Sequence, residues 1–343
     1  MSNSSKRFLF YSPNVHTGGG LVLLKSFLNE LSPFDRCILW LDIRSQHLIE
    51  LKNPHWKVFW VNNTIFSRLF SELHLRFFST HQDVVFCFHG LPPVFGSNSK
   101  VNLFLQNRNY FGVVPLNNFR LKTRIRLFFE QLISKYLRYS VSTYWVQTPS
   151  MKSTLLKWAN NEKLDVRICP FVDLTSFQKL STSKRWDFIY ISDGEAHKNH
   201  KTLIEAWILL SEYGLRPSLA LTLSSRDIFL KNWIECQKFK YNLNVHDLGQ
   251  LSRPEINELY SSARSLIFPS KTESFGLPLI EATLFEIPIL ASELDFVRDV
   301  CKPCQTFDPN SAISIYRSVR RFLDIEEPPL TPVSARQLIN DLF

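Results

Sequence analysis

Two carboxylates, Glu273 and Glu281, stand eight positions apart on either side of a glycine turn, within residues 268–282. A buried-strand pattern ends there at a proline, and Gly276 permits a close backbone approach before a helix predicted to begin at Leu277. A helix N-terminus presents free N–H groups and the positive end of the helix dipole. The spacing therefore predicts an anion and sugar site, in which N–H groups take phosphates and both carboxylates reach hydroxyls of one ligand.

A glycine turn early in the chain is the second candidate. Gly18, Gly19 and Gly20 follow the opening strand and precede a helix predicted to begin near Leu21. Because they lack side chains, they let the backbone approach a ligand closely, and the helix behind them favours negative charge. The alternative is a flexible strand-to-helix turn without a ligand.

Lys198 and Asn199 are the third candidate. They follow the first strand of the second half of the chain and precede an amphipathic helix predicted over residues 202–212. The ammonium group of this lysine can form charge-assisted hydrogen bonds to an anionic ligand. The alternative is a solvated lysine at the start of a helix.

Asp193 stands in the same loop and complicates that prediction. A carboxylate beside a diphosphate is repulsive unless it is turned away or bonded to a neighbouring cation, such as Lys198 or Lys201. Otherwise the site needs positive charge from elsewhere, for instance from Lys271 or from the first half of the chain.

Candidate acceptor-side residues follow strands in the first half. His89 ends a buried strand pattern, where its imidazole can donate a hydrogen bond to a sugar hydroxyl or accept its proton, although a structural histidine is the alternative. Asn107 and Arg108 follow the next strand and are expected to line the acceptor side. Thr148 or Ser150 is predicted to cap a helix.

The elements that position these residues alternate between short strands and longer helical patterns, which indicates βαβ units and mostly parallel sheets. Two doubly wound, Rossmann-like α/β domains are predicted, the first over residues 1–172 and the second over 186–343, with a linker over 173–185. Ligands of open α/β sheets bind at the carboxyl ends of the strands, so the site is expected in the cleft between the two domains. The predicted strands are 7–12, 37–41, 57–61, 84–88, 101–106, 144–147, 187–192, 219–223, 244–246, 265–268 and 287–291.

Composition favours a cytosolic enzyme without a metal. Of the 343 residues, 45% are hydrophobic, yet no run approaches the ~18 apolar residues of a membrane span, and the N-terminus does not read as a secretion signal. The six cysteines are scattered, and Cys301 and Cys304 form a lone C-x-x-C without a nearby histidine. Neither metal-ligand spacing nor an Asp-x-Asp tripeptide occurs, so no metal is expected.

The net charge of +9 is concentrated in the first half. Residues 1–170 contain 21 Lys and Arg against 9 Asp and Glu, whereas the remainder contains 19 against 22. A helix predicted over residues 118–139 carries six basic residues and one acidic residue beside a broad apolar stripe. An anionic membrane surface is the expected partner of this helix, and the alternative is core packing with a solvated basic face. Nucleic acid is not expected, because no binding motif occurs.

Residues 268–282 resemble the Glu-x7-Glu motif of retaining glycosyltransferases with the two-domain GT-B fold, in glycosyltransferase group 1, also called family 4. The resemblance extends to the glycine turn, the Lys198–Asn199 pair and short segments near 147–150, 168–170 and 248–250. The family's arginine is missing, because Asp193 occupies its approximate place.

The resemblance assigns roles to the candidates. It implies that Glu273 contacts the donor sugar and Glu281 the ribose of the nucleotide. The second domain would bind the nucleotide sugar, and the first would receive the acceptor. Donor binding would also involve Gly18, Gly19, Gly20, Lys198, Asn199, Ser274, Phe275, Gly276 and Leu277.

The expected activity is retaining, metal-independent transfer of a sugar from a nucleotide-diphosphate sugar, the co-substrate, with no other cofactor. Glu273, Lys198 and His89 are the expected catalytic residues, with Glu273 positioning the sugar while Lys198 stabilises the leaving diphosphate. The acceptor is expected to be a lipid-linked or saccharide hydroxyl in O-antigen, capsule or lipopolysaccharide synthesis, at the inner face of the plasma membrane. A GT-B sugar-nucleotide epimerase or phosphorylase, or a non-catalytic sugar-nucleotide-binding assembly subunit, is the alternative.

Overall fold

A computed structural model of the chain describes residues 6–34, 36–88, 90–111, 121–161, 163–173, 177–325, 332 and 334–342. The described strands form two separate sheets, and every pair of neighbouring strands is parallel. Among the described residues, no helix is both long and apolar enough to cross a membrane. The predicted fold class, two Rossmann-like α/β domains, is confirmed.

The first sheet has seven strands in the order β3-β2-β1-β4-β5-β6-β7. Its central strands are mostly apolar because both faces of the sheet are covered. Leu9 and Tyr11 of the first strand pack into one core cluster and Phe10 into the other, as the two-residue period of a strand requires. The elements are β1 Phe8–Ser12, α1 Gly18–Leu31, β2 Cys37–Asp42, β3 Lys57–Val61, α2 Ile65–Phe78, β4 Val84–Cys87, β5 Lys100–Leu105, α3 Leu121–Tyr136, β6 Thr143–Val146, α4 Pro149–Ala159 and β7 Val166–Ile168.

The second sheet has six strands in the order β10-β9-β8-β11-β12-β13 and a single continuous core cluster. The strand order reverses between β8 and β11, so the loops after these two strands leave the sheet side by side. The elements are β8 Trp186–Tyr190, α5 His200–Glu212, β9 Leu219–Leu221, α6 Ile228–Tyr241, β10 Val245–Asp247, α7 Arg253–Ser262, β11 Ala263–Phe268, α8 Leu277–Leu284, β12 Ile289–Ser292, α9 Asp295–Arg298, β13 Gln305–Phe307, α10 Ala312–Phe322 and α11 Ala335–Leu342.

The connection between the sheets runs from residue 169 to residue 185 and contains no helix or strand among its described residues. The predicted linker, 173–185, falls within this connection. The division into domains at 1–172 and 186–343 stays a prediction.

Three predicted helices have different bounds. α1 begins at Gly18 and not near Leu21, because the glycines form its first turn after Thr17. α5 begins at His200, two residues before the predicted start, since Asn199 with φ 65° leads directly into it. Of the helix predicted over 118–139, α3 accounts for 121–136, and residues 118–120 lie outside the described residues. The prediction that Thr148 caps a helix is confirmed, because its hydroxyl accepts the N–H of Met151 at 3.2 Å.

Two short strands at the sheet edges, β7 and β13, were not predicted. Each has three residues, and only one residue of each is buried, so neither carries a recognisable apolar pattern.

α2 contacts the first sheet through polar groups as well as Leu75. The hydroxyl of Ser71 lies 2.8 Å from the Tyr11 hydroxyl, and the Glu72 carboxylate accepts the N–H of Val94 at 2.6 Å. Burial raises the pKa of Glu72 to about 7, although hydrogen bonds from the N–H groups of Val94 and Phe95 oppose this change. Ionised Glu72 therefore weakens the folded state at neutral pH.

We expect Glu72→Gln to stabilise the protein at pH 8 more than at pH 5. Folding raises the pKa of Glu72. In the unfolded chain the Glu72 carboxyl loses its proton around its ordinary pKa of 4.5, whereas in the folded chain it keeps the proton up to about pH 7. The penalty is thus absent below pH 4.5 and complete above pH 7, on the order of 3 kcal/mol. Thermal unfolding at both pH values, with the exposed Glu30→Gln as the control, measures it. A Glu72→Gln effect of equal size at both pH values contradicts the prediction.

Candidate active site

A cleft of about 740 Å³ lies at the carboxyl ends of strands from both sheets. Gln106 after β5 and Gln147 after β6 line it from the first domain. Ser192 after β8, Thr222 after β9 and Glu273 after β11 line it from the second. This is the position at which open α/β sheets bind ligands.

Most of the predicted donor-binding residues meet in this cleft. Asn199, Asn107 and Arg108 are not among the described residues that line it, and His89 lies outside the described residues. The predicted residues that line the cleft are Gly18, Gly19, Gly20, Lys198, Glu273, Ser274, Phe275, Gly276, Leu277 and Glu281.

Lys198 and Glu273 form an ion pair inside the cleft. The Lys198 Nζ lies 2.7 Å from Glu273 Oε1, and the two side chains are only 18% and 11% exposed. A charge-assisted hydrogen bond of this length fixes both groups. An ammonium group has three protons, so Lys198 can hold Glu273 and still donate to a phosphate oxygen.

Asn199 holds the Lys198 turn against the loop that carries Glu273. Its buried amide donates to the carbonyl oxygens of Pro269, at 3.1 Å, and Pro309, at 2.6 Å. The Lys271 N–H donates to the carbonyl of His197 at 2.8 Å, which adds a second bond between the two loops. The Asn199 side chain thus positions Lys198, and its predicted contact with the donor stays a prediction.

The loop after Glu273 enters α8 through Gly276. Gly276 has φ 75°, a left-handed conformation that favours glycine, and an added Cβ would lie 3.1 Å from Leu279. Pro278 has no N–H, and the Leu279 N–H bonds to the Gly276 carbonyl at 2.9 Å. The backbone donors offered to a ligand therefore come from residues 275–277, just before the proline.

Glu281 is buried and already bonded at both oxygens. Its Oε1 lies 2.6 Å from Nη1 of Arg253, and its Oε2 accepts the hydroxyl proton of Tyr260 at 2.9 Å. Burial and the charge of Glu281 raise the pKa of Tyr260 well above its ordinary value, so the phenol remains a donor. Glu281 thus faces the cleft as a fixed acceptor.

Arg253 is a cleft-lining cation that was not predicted. Its guanidinium lies 4.5 Å from the ring centroid of Phe177. Its Nε and Nη2 are buried and have no hydrogen-bond partner among the described residues. A guanidinium with two unused donors beside Glu281 is suited to bind a polar ligand group.

Acidic groups outnumber basic ones along the cleft. Lys198, Arg226 and Arg253 are the cations that line it in the described part of the chain, whereas Lys271 is exposed and is not among the lining residues. Lys271, which was predicted as a source of extra positive charge, therefore does not form part of the cleft wall. The lining carboxylates are Asp173, Asp193, Glu195, Asp227, Glu273 and Glu281.

Asp193 is exposed, and the lysines named as its possible partners bond elsewhere. Lys198 pairs with Glu273, and the ammonium of Lys201 lies 5.8 Å from the ring centroid of Trp233. The Asp193 carboxylate accepts the N–H of Glu195 in a long contact of 3.4 Å. Neither lysine neutralises the Asp193 carboxylate, so its negative charge remains at the wall of the cleft.

Asp227, in contrast, accepts three hydrogen bonds at one carboxylate oxygen. Its Oδ2 accepts the Gly194 N–H at 3.0 Å and both the N–H and the hydroxyl of Ser224, at 3.0 and 2.7 Å. Burial opposes ionisation, but these hydrogen bonds prevail and lower the pKa of Asp227. Asp227 thus shapes the loops after β8 and β9.

The first domain contacts the loop of Glu273 directly. A Cβ added to Gly19 would lie 2.7 Å from Cδ1 of Leu277, so only glycine fits there without movement. The N–H of Arg108 donates to the Ser274 hydroxyl at 3.2 Å. The N–H of Ser150 donates to Asp299 at 2.9 Å. The two domains are therefore closed on each other in this structure.

Arg108 belongs to this domain contact. Its guanidinium donates to the Ser150 hydroxyl. Burial lowers the pKa of Arg108, and Asp299, Asp295 and Glu273 in the second domain oppose that change. Asn107 accepts the N–H of Asn109 at 2.9 Å and so forms a local turn. Asn107 and Arg108 thus hold a turn and the domain contact, and the prediction that they line the acceptor side stays a prediction.

No group of three or more His, Cys, Asp or Glu side chains that could hold a metal occurs among the described residues. Cys301 and Cys304 are free thiols there, and burial raises the pKa of Cys301 to about 11.

Sequence reasoning missed Arg253, Arg226, Gln106 and Gln147. Arg253 stands 28 positions before its partner Glu281, a separation without a local pattern. The two glutamines are each the last residue of a predicted strand, and that position was the available signal.

Comparison with known proteins gives the fold and a family match to the second half of the chain. Residues 172–335 match the family described as glycosyl transferases group 1. The crystal structure of Anabaena Alr3699/HepE in complex with UDP and glucose superposes with a TM-score of 0.70 at 15% identity, covering 93% of this chain and 90% of that one.

Two curated relatives from Escherichia coli share shorter segments. The serotype-specific mannosyltransferase WbdA is 30% identical over 104 residues, which are 29% of this chain and 13% of the relative. The O-antigen chain mannosyltransferase B is 28% identical over 146 residues, 41% of this chain and 38% of the relative. The chain thus spans well under half the length of either relative. The chain has the two-domain GT-B fold, and its residues 172–335 match the glycosyl transferases of group 1.

Proposed function

We propose that the chain is a retaining glycosyltransferase that moves a sugar from a nucleotide-diphosphate sugar to a hydroxyl of a lipid-linked or saccharide acceptor. The observation that carries this proposal is the Lys198–Glu273 pair at the mouth of α8, inside a cleft between two closed domains. It places a cation for phosphate, a carboxylate for sugar hydroxyls and backbone donors within one site.

The donor lies mainly on the second domain. Glu281 and Arg253 offer a fixed acceptor and two unused donors to the nucleotide. Lys198 and the N–H groups before Pro278 face the diphosphate, and Glu273 takes the sugar hydroxyls. HepE, which shares the fold, was solved with UDP and glucose, and this supports a nucleotide in the corresponding cleft.

Glu273 acts by positioning the sugar. Its carboxylate is held by Lys198, so it is a poor nucleophile for a covalent intermediate. The bond from the anomeric carbon to the phosphate oxygen breaks, and the acceptor oxygen bonds to the same face of that carbon. The acceptor's proton passes to the departing phosphate oxygen, whose negative charge Lys198 stabilises without a metal.

The acceptor enters from the first domain, against Gly18–Gly20 and the glutamines after β5 and β6. The two Escherichia coli relatives are mannosyltransferases, one of them of the O-antigen chain, and this supports a bacterial surface polysaccharide as the product. The positive charge of the first half of the chain and of α3 supports a location of the enzyme at the inner, cytoplasmic face of the plasma membrane.

The first prediction concerns donor turnover. Incubation with a panel of UDP-, GDP- and dTDP-sugars should release nucleoside diphosphate from one of them. Glu273→Gln should lower this rate at least ~100-fold, because it removes a charged contact to the reacting sugar. The protein should remain folded at a lower Tm, because Lys198 loses its charged partner. The matched control is Glu293→Gln, which removes an exposed Glu–Arg pair outside the cleft.

Turnover at the wild-type rate in Glu273→Gln would contradict the role of Glu273 in positioning the donor sugar. Isomerised donor would identify an epimerase. Donor binding without any turnover would identify a non-catalytic subunit, an outcome that the exposed charge of Asp193 makes worth testing.

The second prediction separates two roles of Arg253. Arg253→Met should raise the KM for the donor about tenfold and lower stability by about 1–3 kcal/mol, because Glu281 loses its partner. Adding Glu281→Gln should restore the stability but not the KM. If the double variant also recovers the wild-type KM, Arg253 serves only to neutralise Glu281.

A further inference from the structure

α2 turns its large apolar side chains outward. Ile65, Phe66, Phe70 and Phe77 are between 73% and 86% exposed. At 100° per residue these positions fall within an arc of about 140°, opposite the buried Ser71 and Leu75. A helix of a globular domain normally buries such an arc.

A neighbouring loop and helix extend this surface. Glu72 holds Val94 and Phe95 beside α2 through their N–H groups, and both side chains are exposed. Arg68 of α2 interacts electrostatically with Glu130 of α3, so the two helices are neighbours. The exposed apolar residues of α3 are Leu121, Ile125, Phe128, Phe129 and Tyr136. We call the exposed apolar residues of α2, α3 and 94–95 the apolar face.

Within α3 these residues also fall on one side, in an arc of about 100°. Arg124 and Lys135 flank one edge of that arc and Arg126 flanks the other, and all three are exposed. On α2, Arg76 is exposed beside the phenylalanines. The described carboxylates of the two helices, Glu72 and Glu130, are both partly buried. The apolar face is therefore rimmed by positive charge.

We propose that the apolar face seats the protein on an anionic lipid bilayer, with the phenylalanines of α2 among the acyl chains and the basic rim at the headgroups. Apolar residues beside exposed basic ones are the pattern of an interfacial helix. A second copy fits less well, because a two-fold contact would set one basic rim against the other. The sequence-based partner prediction rested on residues 118–139 alone, whereas α2 adds Phe66, Phe70 and Phe77, which are 73% to 86% exposed.

This inference extends the membrane partner proposed above and is tested without donor or acceptor, so it fails separately from the proposed activity. The full chain is sedimented with vesicles of phosphatidylcholine alone and with vesicles containing phosphatidylglycerol. Phe66→Ser/Phe70→Ser is compared with Phe229→Ser/Phe239→Ser on α6, where the two side chains are 86% and 93% exposed. Circular dichroism and the Tm check that each variant is folded.

We expect binding to the anionic vesicles only, weakened at least about tenfold in the α2 variant and unchanged in the α6 variant. High salt should weaken it as well, since the headgroup contacts are screened. The proposal is overturned if the folded α2 variant binds like wild type, if both variants lose binding equally, or if wild type binds neither vesicle. A solution dimer that Phe66→Ser/Phe70→Ser dissociates would assign the apolar face to a second copy and overturn it too.

Discussion

The ion pair between Lys198 and Glu273 joins the loops after β8 and β11, the two strands between which the order of the second sheet reverses. Bringing both charges out of water costs free energy, and each is compensated by the other at 2.7 Å. The surrounding hydrogen bonds of Asn199 and Lys271 hold the two loops in place before any ligand arrives. A site held in this way loses little entropy when a donor binds.

The charge balance of the cleft gives this pair its importance. Six carboxylates and three cations line it in the described part of the chain, so a diphosphate meets a net negative wall. The Asp227 carboxylate accepts hydrogen bonds within the loops, and the charge of Glu281 is neutralised by Arg253. What remains for phosphate is Lys198, Arg226, the backbone donors before Pro278 and the unused donors of Arg253. A transferase with few phosphate contacts must rely on domain closure. The glycine turn contributes to this closure through the close approach of Gly19 to Leu277.

Local sequence patterns predicted the parts of the site that lie on single loops. The turn and the start of α8 were predicted from the proline that ends the strand, from Gly276 and from the two glutamates. Such local prediction works because glycine and proline affect the backbone within a few residues. The start of α1 was missed since glycines read as a loop, although Thr17 permits the helix to begin at Gly18. Arg253 and the domain contact of Arg108 depend on residues far apart in the chain, which no local pattern reports. The outward face of α2 was missed for another reason: its periodicity is that of a buried helix, and only the packing reveals which side faces the sheet.

The affinity for a nucleoside diphosphate without its sugar tests the central claim most directly. Titration calorimetry would compare wild type, Glu273→Gln and Lys198→Met, with whichever of UDP, GDP and dTDP wild type binds. Lys198→Met should bind at least about tenfold more weakly, a loss of about 1.4 kcal/mol. Glu273→Gln should bind at least as tightly as wild type, because its lysine is released to the phosphates. Unchanged affinity in Lys198→Met, or an equal loss in both variants, would contradict the account.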